Sequence, residues 1–320
     1  MRRIKLGTRI VDYPSDDLKQ LEDSNHLLDN VEALKAELQS KGYIYIKGLH
    51  DRQEVLDARL AVLDYIRNLG EGKLKEGTAW EQGVLDERCG FGCVPYMEGR
   101  NDVTHSEAVS KVIEGHRPFE FFKKLFGEDA KTFDFKWLRG IHREAFSGAH
   151  VDNVYMSRGT DQLYTMWTPL GDVDIEMGTL AMCEGSNHLP GYSHFQDTYG
   201  NCDIENIGLE GTGWFTTDPF EISKQFGGQW KTTDFKAGDA IIFTMRTVHM
   251  SSVNSTEKLR ISCDTRWQPA SQSADPRYVG NEFHLKGAFG LAGIDEGRNK
   301  KNVPTIDILK KQWGFPLAMA

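Results

Sequence analysis

The chain has 320 residues, of which 39% are hydrophobic and 27% charged, the make-up of an ordinary globular protein with enough apolar side chains for a large core. Acidic residues outnumber basic ones, 47 to 38, for a formal net charge of −9, and no block concentrates Lys and Arg; nucleic acid and anionic membrane are therefore not expected as main partners. A small-molecule substrate is the expectation that remains, and the oligomeric state is left open.

The first twenty residues hold no apolar run that could form a signal-peptide core, and no later window reaches the apolar length of a membrane span. This predicts an intracellular, cytoplasmic protein. Residues 16–41 carry Leu18, Leu21, Leu27, Leu28, Val31, Leu34 and Leu38 at helical spacing before Gly42, predicting one broken helix or two. The short run "YIYIKGL" (43–49) is β-branched and aromatic and predicts a strand. Asp51, with Glu54 three residues on, opens an amphipathic helix that runs to Gly70. Glycine and charge dominate 71–116, predicting irregular chain with one short helix near 105–115, and "RPFEFFKKLFG" (117–127) predicts a compact helix closed by glycine. The five cysteines are scattered, and Cys89 and Cys93 lack a second pair at zinc-site spacing, so they are expected to be reduced thiols near a glycine turn.

From about residue 133 the texture changes to strands with no helices between them: "TFDFKWLRGIHREAF", "LYTMWTPL", "GTLAMCEG", "DAIIFTMRTVHM" and "KLRISCDTRWQP". That order predicts an antiparallel sandwich or barrel rather than a doubly wound sheet. The stretch 188–233, rich in glycine and aromatics, interrupts the pattern and reads as a lid or binding loop. "TIDILKKQWG" reads as a helix near the C-terminus, and "NST" at Asn254 as a polar turn rather than a glycosylation site.

The chemistry gathers around "GAHVDNVY" (148–155). In a strand, residues two apart share a face, so His150 and Asp152 would project together as two metal donors on one element. His249 ends the apolar run "AIIFTMRTVH", where another aliphatic residue would be expected, and is the candidate third ligand. Two His and one carboxylate make the facial triad of non-haem Fe(II) oxygenases. After a polar turn at 253–257, Arg260, Ser262, Asp264 and Arg266 alternate with Leu259, Ile261, Cys263, Thr265 and Trp267, giving the next strand one charged face. An arginine beside the metal suits the distal carboxylate of a bound diacid, because its planar fork matches a carboxylate bidentately.

These residues resemble the phytanoyl-CoA-dioxygenase-like branch of the Fe(II)/2-oxoglutarate oxygenases. The resemblance rests on His150 and Asp152, the distal His249, Ser251 two residues later and Arg260 eleven residues after that His. It is supported by "QLYTMWTPLGDVD", "GTLAMCEGSNH", "KAGDAIIF" and the opening "LQSKGYIYIKGL", and it runs from about 35 to 268. Glu184 departs from the family's usual proline before "GS", and the segment after His188 is longer than expected.

The resemblance implies a mainly β fold with flanking helices, a double-stranded β-helix or jelly roll. It implies a single oxygenase domain over 1–320: a mainly helical part with a first strand to 130, a jelly-roll core over 131–268 with the insertion at 188–233, and a C-terminal extension over 269–320. It implies Fe(II) held by His150, Asp152 and His249, 2-oxoglutarate as cosubstrate anchored by Arg260 and Ser251 with Trp167 as a wall, O2 as oxidant and ascorbate as an accessory reductant. Succinate and CO2 would be released as an aliphatic C–H bond is hydroxylated. Halogenating relatives replace the carboxylate with a small residue, so Asp152 implies oxygenation. Arg266 shares parity with Arg260 and is expected to face the cavity, where it could meet an acidic group on the substrate.

Other readings stand beside this one. "HRE" (142–144) offers His142 and Glu144 as a rival pair, less favoured because its spacing to the following motifs fits the family less well. His188 and His194 read as hydrogen-bonded loop residues. A barrel that binds metal or ligand without turnover, a hydrolase or isomerase using Zn or Mn on the same ligands, and a scaffold whose lid contacts a protein are the alternatives.

Overall fold

The computed structural model describes residues 2–90, 93–280 and 304–316. The C-terminal extension expected over 269–320 lies partly outside the described residues. The strands are β1 (Arg2–Leu6), β2 (Arg9–Tyr13), β3 (Lys19–Gln20), β4 (Tyr43–Ile46), β5 (Ala130–Thr132), β6 (Trp137–Ile141), β7 (Tyr164–Pro169), β8 (Leu180–Glu184), β9 (Gln229–Thr232), β10 (Ala240–Thr244), β11 (His249–Ser251) and β12 (Arg260–Pro269). The helices are α1 (Val31–Lys41), α2 (Arg52–Asn68), α3 (Asn101–Thr104), α4 (Glu107–Ile113), α5 (His116–Phe126), α6 (Ser193–Asp197), α7 (Ile204–Ile207), α8 (Pro219–Phe226) and α9 (Ile306–Gln312).

Two sheets make the jelly roll. The larger runs β4-β10-β7-β12-β5, with β6 also on β12, and the smaller runs β11-β8-β9-β3. The long strand β12 pairs with β7 along one side and with β6 and then β5 along the other. Strand parity decides what each face meets. On β12, Ile261 and Cys263 turn outward under α2 and α4, and Trp267 stacks on Phe122 of α5, ring centroids 4.6 Å apart. Such a pair adds about 0.5–1.5 kcal/mol beyond its buried area. The intervening Arg260, Asp264 and Arg266 turn inward. The smaller sheet repeats the logic: Ala181, Cys183 and Met250 join an outer core with the β1-β2 hairpin and residues 192–230, while Leu180, His249 and Ser251 face in.

Several local expectations need correction. The helix expected over 16–41 begins only at Val31. Asn30 is its N-cap, accepting from the Ala33 N–H at 3.1 Å, and upstream Leu18, at a bend, and Leu21, just after β3, are buried in the core. Gly42, at φ 87°, closes α1 in the left-handed conformation that glycine adopts without strain. The short helix expected near 105–115 is α4, and one further turn of helix, α3, precedes it in chain read as irregular. Cys89 and Cys93 are a disulfide rather than free thiols: the turn in which the Cys93 N–H donates to the Gly90 carbonyl brings their Cα atoms to 5.2 Å. The segment 188–233 carries α6, α7 and α8 and ends in β9, and Tyr192, Phe195, Tyr199 and Phe226 bury it against the smaller sheet. Asn254 is fully buried, its amide donating to the Ile141 and Lys258 carbonyls, and it builds the expected polar turn.

Candidate active site

Residues 147–150 run antiparallel beside β11. The Ser251 N–H donates to the Ser147 carbonyl, and His150 and His249 exchange both backbone hydrogen bonds at 3.0 Å. Residues that exchange both bonds stand directly opposite with side chains on one side of the ladder. The two imidazoles therefore emerge together, ring centroids 4.2 Å apart. Gly148 lets the segment at Trp214–Thr216 pack closely on the other side: a Cβ there would meet the Trp214 ring at 2.7 Å and the Thr216 carbonyl at 2.9 Å. The strand expected to carry both His150 and Asp152 is reduced to a bridge at His150. Asp152 opens a 3-10 turn (Asp152–Val154), but Val151 is extended (φ −114°, ψ 143°), so Asp152 still returns to the face of His150.

Asp152 Oδ1 lies 3.6 Å from Nε2 of both His150 and His249. Among the described residues these three side chains form the group able to hold a metal, their donor atoms all within 4.8 Å of one another. The opposite end of each donor is fixed. His150 Nδ1 donates to the Gly148 carbonyl at 2.7 Å and His249 Nδ1 to the Thr247 carbonyl at 3.0 Å. A carbonyl can only accept, so the ring proton sits on Nδ1 and the Nε2 lone pair faces inward. Asp152 Oδ2 accepts from Thr165 Oγ1 at 2.6 Å and pairs with Arg266 Nη2 at 3.1 Å, which leaves Oδ1 for the inside. Burial works to raise the Asp152 carboxyl, but Arg266 and the two histidines hold it well below the usual carboxylate range. Burial, with His150 beside it, pushes His249 down to about 3. At neutral pH the site therefore presents an anion and a neutral imidazole, the states a bound cation requires.

Arg260 is 2% exposed, and among the described residues its Nε has no hydrogen-bond partner and no carboxylate stands at salt-bridge distance. Its guanidinium lies 5.8 Å from the centroid of the Trp167 ring, and burial pushes its pKa down to about 10, so it remains cationic at neutral pH. Ser251 Oγ accepts the Ser147 N–H at 2.8 Å and keeps its own hydrogen for another acceptor. His150, Asp152, His249, Ser251, Arg260 and Trp167 all line one cavity of about 290 Å³. A buried guanidinium lacking an acidic partner calls for an external anion, and two imidazole nitrogens with a carboxylate oxygen suit divalent iron. The residues fit both groups.

The rival pair is placed elsewhere. Glu144 is exposed and bonds to Lys5 Nζ at 2.8 Å, and His142 Nδ1 contacts the Arg143 carbonyl at 2.7 Å. His188 contacts Asn187 Oδ1, as a hydrogen-bonded loop residue does, while His194 lies in α6 rather than in a loop and contacts the Trp313 carbonyl. Arg266 faces the cavity as expected, but the carboxylate it meets is that of Asp152. Sequence reasoning missed Thr165, although it shares a strand face with Trp167, and Glu98, which lies in chain read as irregular yet pairs with Arg139 at 3.0 Å inside the same cavity.

The phytanoyl-CoA dioxygenase family model matches residues 38–262, which span the triad, Ser251 and Arg260. The chain belongs to the phytanoyl-CoA dioxygenase family. It is therefore a non-haem Fe(II)- and 2-oxoglutarate-dependent dioxygenase, an oxidoreductase that converts 2-oxoglutarate and O2 to succinate and CO2 as it oxidises a C–H bond. Among curated relatives, 1-deoxypentalenic acid 11-beta-hydroxylase of Streptomyces exfoliatus is 26% identical over 275 residues, covering 80% of this chain and 88% of that one. The enzyme of the same name from Streptomyces arenae is 25% identical over 273 residues, with the same coverage. Among solved structures, the non-haem α-ketoglutarate-dependent epimerase SnoN from nogalamycin biosynthesis matches with a TM-score of 0.52 at 19% identity, covering 83% of this chain and 94% of that one, a likeness of fold. No helix among the described residues is long and apolar enough to cross a membrane.

Proposed function

We propose that this family member hydroxylates an aliphatic C–H bond of a small molecule, with Fe(II) held by His150, Asp152 and His249 and the distal carboxylate of 2-oxoglutarate anchored by Arg260 and Ser251. The observation that carries the reading is the convergence of Asp152 Oδ1 and the two Nε2 atoms, with every other end tied back, in one cavity with the unpartnered Arg260. When bound, Fe(II) and 2-oxoglutarate supply the oxidising chemistry, in which one oxygen atom of O2 goes to succinate and the other to the substrate. The chain's own part is to hold and shield. The carbonyls of Gly148 and Thr247 fix the imidazole tautomers, Thr165 and Arg266 fix the carboxylate, and Trp167 packs against the Arg260 guanidinium. Ser251 supplies a hydroxyl donor to the same carboxylate that Arg260 binds. The two curated hydroxylases support hydroxylation as the outcome, and the net charge of −9 supports work on a small molecule rather than on nucleic acid or membrane.

The test is an anaerobic titration of 2-oxoglutarate into Fe(II)-loaded protein, following the weak visible charge-transfer band of the chelate. The band is expected in the wild type and absent in His249→Ala. Iron bound without a band would favour a metalloenzyme of another class.

A further inference from the structure

Six charged side chains line the cavity among the described residues: Arg139, Arg260 and Arg266 against Glu98, Asp152 and Asp264. Most are already matched. Arg139 lies 3.0 Å from Glu98 and 3.3 Å from Asp264, Arg266 lies 3.1 Å from Asp152, and the Tyr96 hydroxyl bonds to Glu98. Three guanidinium charges meet three carboxylates, and the two positive charges of Fe(II) meet the two negative charges of 2-oxoglutarate. The loaded cavity is thus neutral as far as its described lining goes. A substrate with a charge of its own would bring into that enclosure an ion with no counter-ion, and the hydration it loses is not returned by hydrogen bonds alone.

One donor is left over. Arg266 is 2% exposed, and its Nη1 is buried with no hydrogen-bond partner among the described residues. The guanidinium is held in place, with Nε donating to Met156 Sδ at 3.0 Å and the plane 4.4 Å from the centroid of the Trp137 ring. A fixed, buried N–H calls for an acceptor, and this one lies just behind the cavity surface, so a substrate oxygen reaches it as the lining adjusts around the ligand. Tyr96, Trp137, Tyr155, Trp214 and Tyr278 line the same cavity and offer aromatic surface against which an apolar ring packs.

We propose that the substrate is an uncharged, ring-bearing molecule whose hydroxyl, ether or carbonyl oxygen accepts from Arg266 Nη1, and that free carboxylic acids and amines are disfavoured by the charge balance of the loaded cavity. The inference rests on the cofactor placement proposed above. It also separates this chain from the curated relatives, which are named for an acid.

The experiment uses three fragments on one skeleton: cyclohexylmethanol, cyclohexanecarboxylate and cyclohexylmethylamine. Each is titrated anaerobically into full-length protein loaded with Fe(II) and 2-oxoglutarate, and binding is read from the shift of the visible band and from saturation-transfer NMR on the Zn(II)-loaded protein. The alcohol is expected to bind at least about tenfold more tightly than either ion, and Glu98→Gln and Asp264→Asn, which each remove one negative charge, are each expected to improve the carboxylate about tenfold relative to the alcohol. The proposal is overturned if the carboxylate or the amine binds the wild type as well as the alcohol does, if neither variant moves the ratio, or if none of the three fragments binds. Absence of the visible band before any fragment is added refutes the cofactor placement instead, so the two failures are distinguishable.

Discussion

Arg260 turns inward from the first position of β12, and no carboxylate among the described residues stands at salt-bridge distance from it, although Asp264 in the same cavity acts on it from further off. If its partner is the distal carboxylate of 2-oxoglutarate, then Arg260→Ala removes charge-assisted hydrogen bonds worth about 1.5–3 kcal/mol. The half-saturating 2-oxoglutarate concentration, measured by succinate release, is expected to rise about 10- to 100-fold while the Fe(II) requirement stays within about twofold. Equal losses on both would make Arg260 a structural residue. Arg260 could be read from the sequence because a cation interrupts an alternating apolar strand at a telling distance from His249. Thr165 could not, since threonine is an ordinary strand residue and only the folded contact with Asp152 Oδ2 shows that it holds a ligand. The Glu98–Arg139 pair was hidden for a related reason: the partners lie 41 positions apart, one in chain with no periodicity.

Among the elements, those whose signals are local were legible, and those set by pairing were not. The capped helix α2 and the strand β4 follow from a few consecutive residues each. The HxD segment did not become a strand, because its partner β11 is only three residues long and pairing ends where Asp152 enters the 3-10 turn. The start of α1 was misplaced because Leu18 and Leu21 mimic helical spacing while packing elsewhere; the chain enters the helix only where Asn30 satisfies a free backbone donor. Asn30→Ala is expected to destabilise the protein by about 1 kcal/mol, with Asn30→Asp close to wild type. Urea unfolding should show a lower midpoint at unchanged slope for the alanine variant. A midpoint that does not move would mean that packing of Leu34 and Leu38 alone positions α1.

At the scale of the whole molecule, alternation along β12 announced a two-sided sheet, but what closes the smaller sheet was not announced. The β1-β2 hairpin lies against that sheet through Ile4, Leu6, Val11 and Tyr13, and it is also tied by charge. Arg2 reaches Asp234 bidentately, Nη1 to Oδ1 at 3.0 Å and Nη2 to Oδ2 at 2.8 Å, while the Ile175 N–H donates to the same carboxylate at 2.8 Å. Burial works to raise the Asp234 carboxyl, yet the hydrogen bonds from Arg2 and Ile175 bring it below the ordinary 3.8. A carboxyl whose folded pKa is depressed gives stability that is complete above its unfolded pKa and is lost as the pH falls through the folded one. Both partners are about one-third exposed, which screens the pair to about 0.5–1 kcal/mol. Arg2→Ala is therefore expected to lower the unfolding free energy by that amount at pH 7 and at pH 5, and by progressively less below pH 4. Denaturant unfolding of both proteins across that range reads the gap directly. A gap that persists unchanged at pH 3 would assign the contribution of Arg2 to its stacking on Tyr13, 5.3 Å from the ring centroid, which does not depend on the protonation of Asp234.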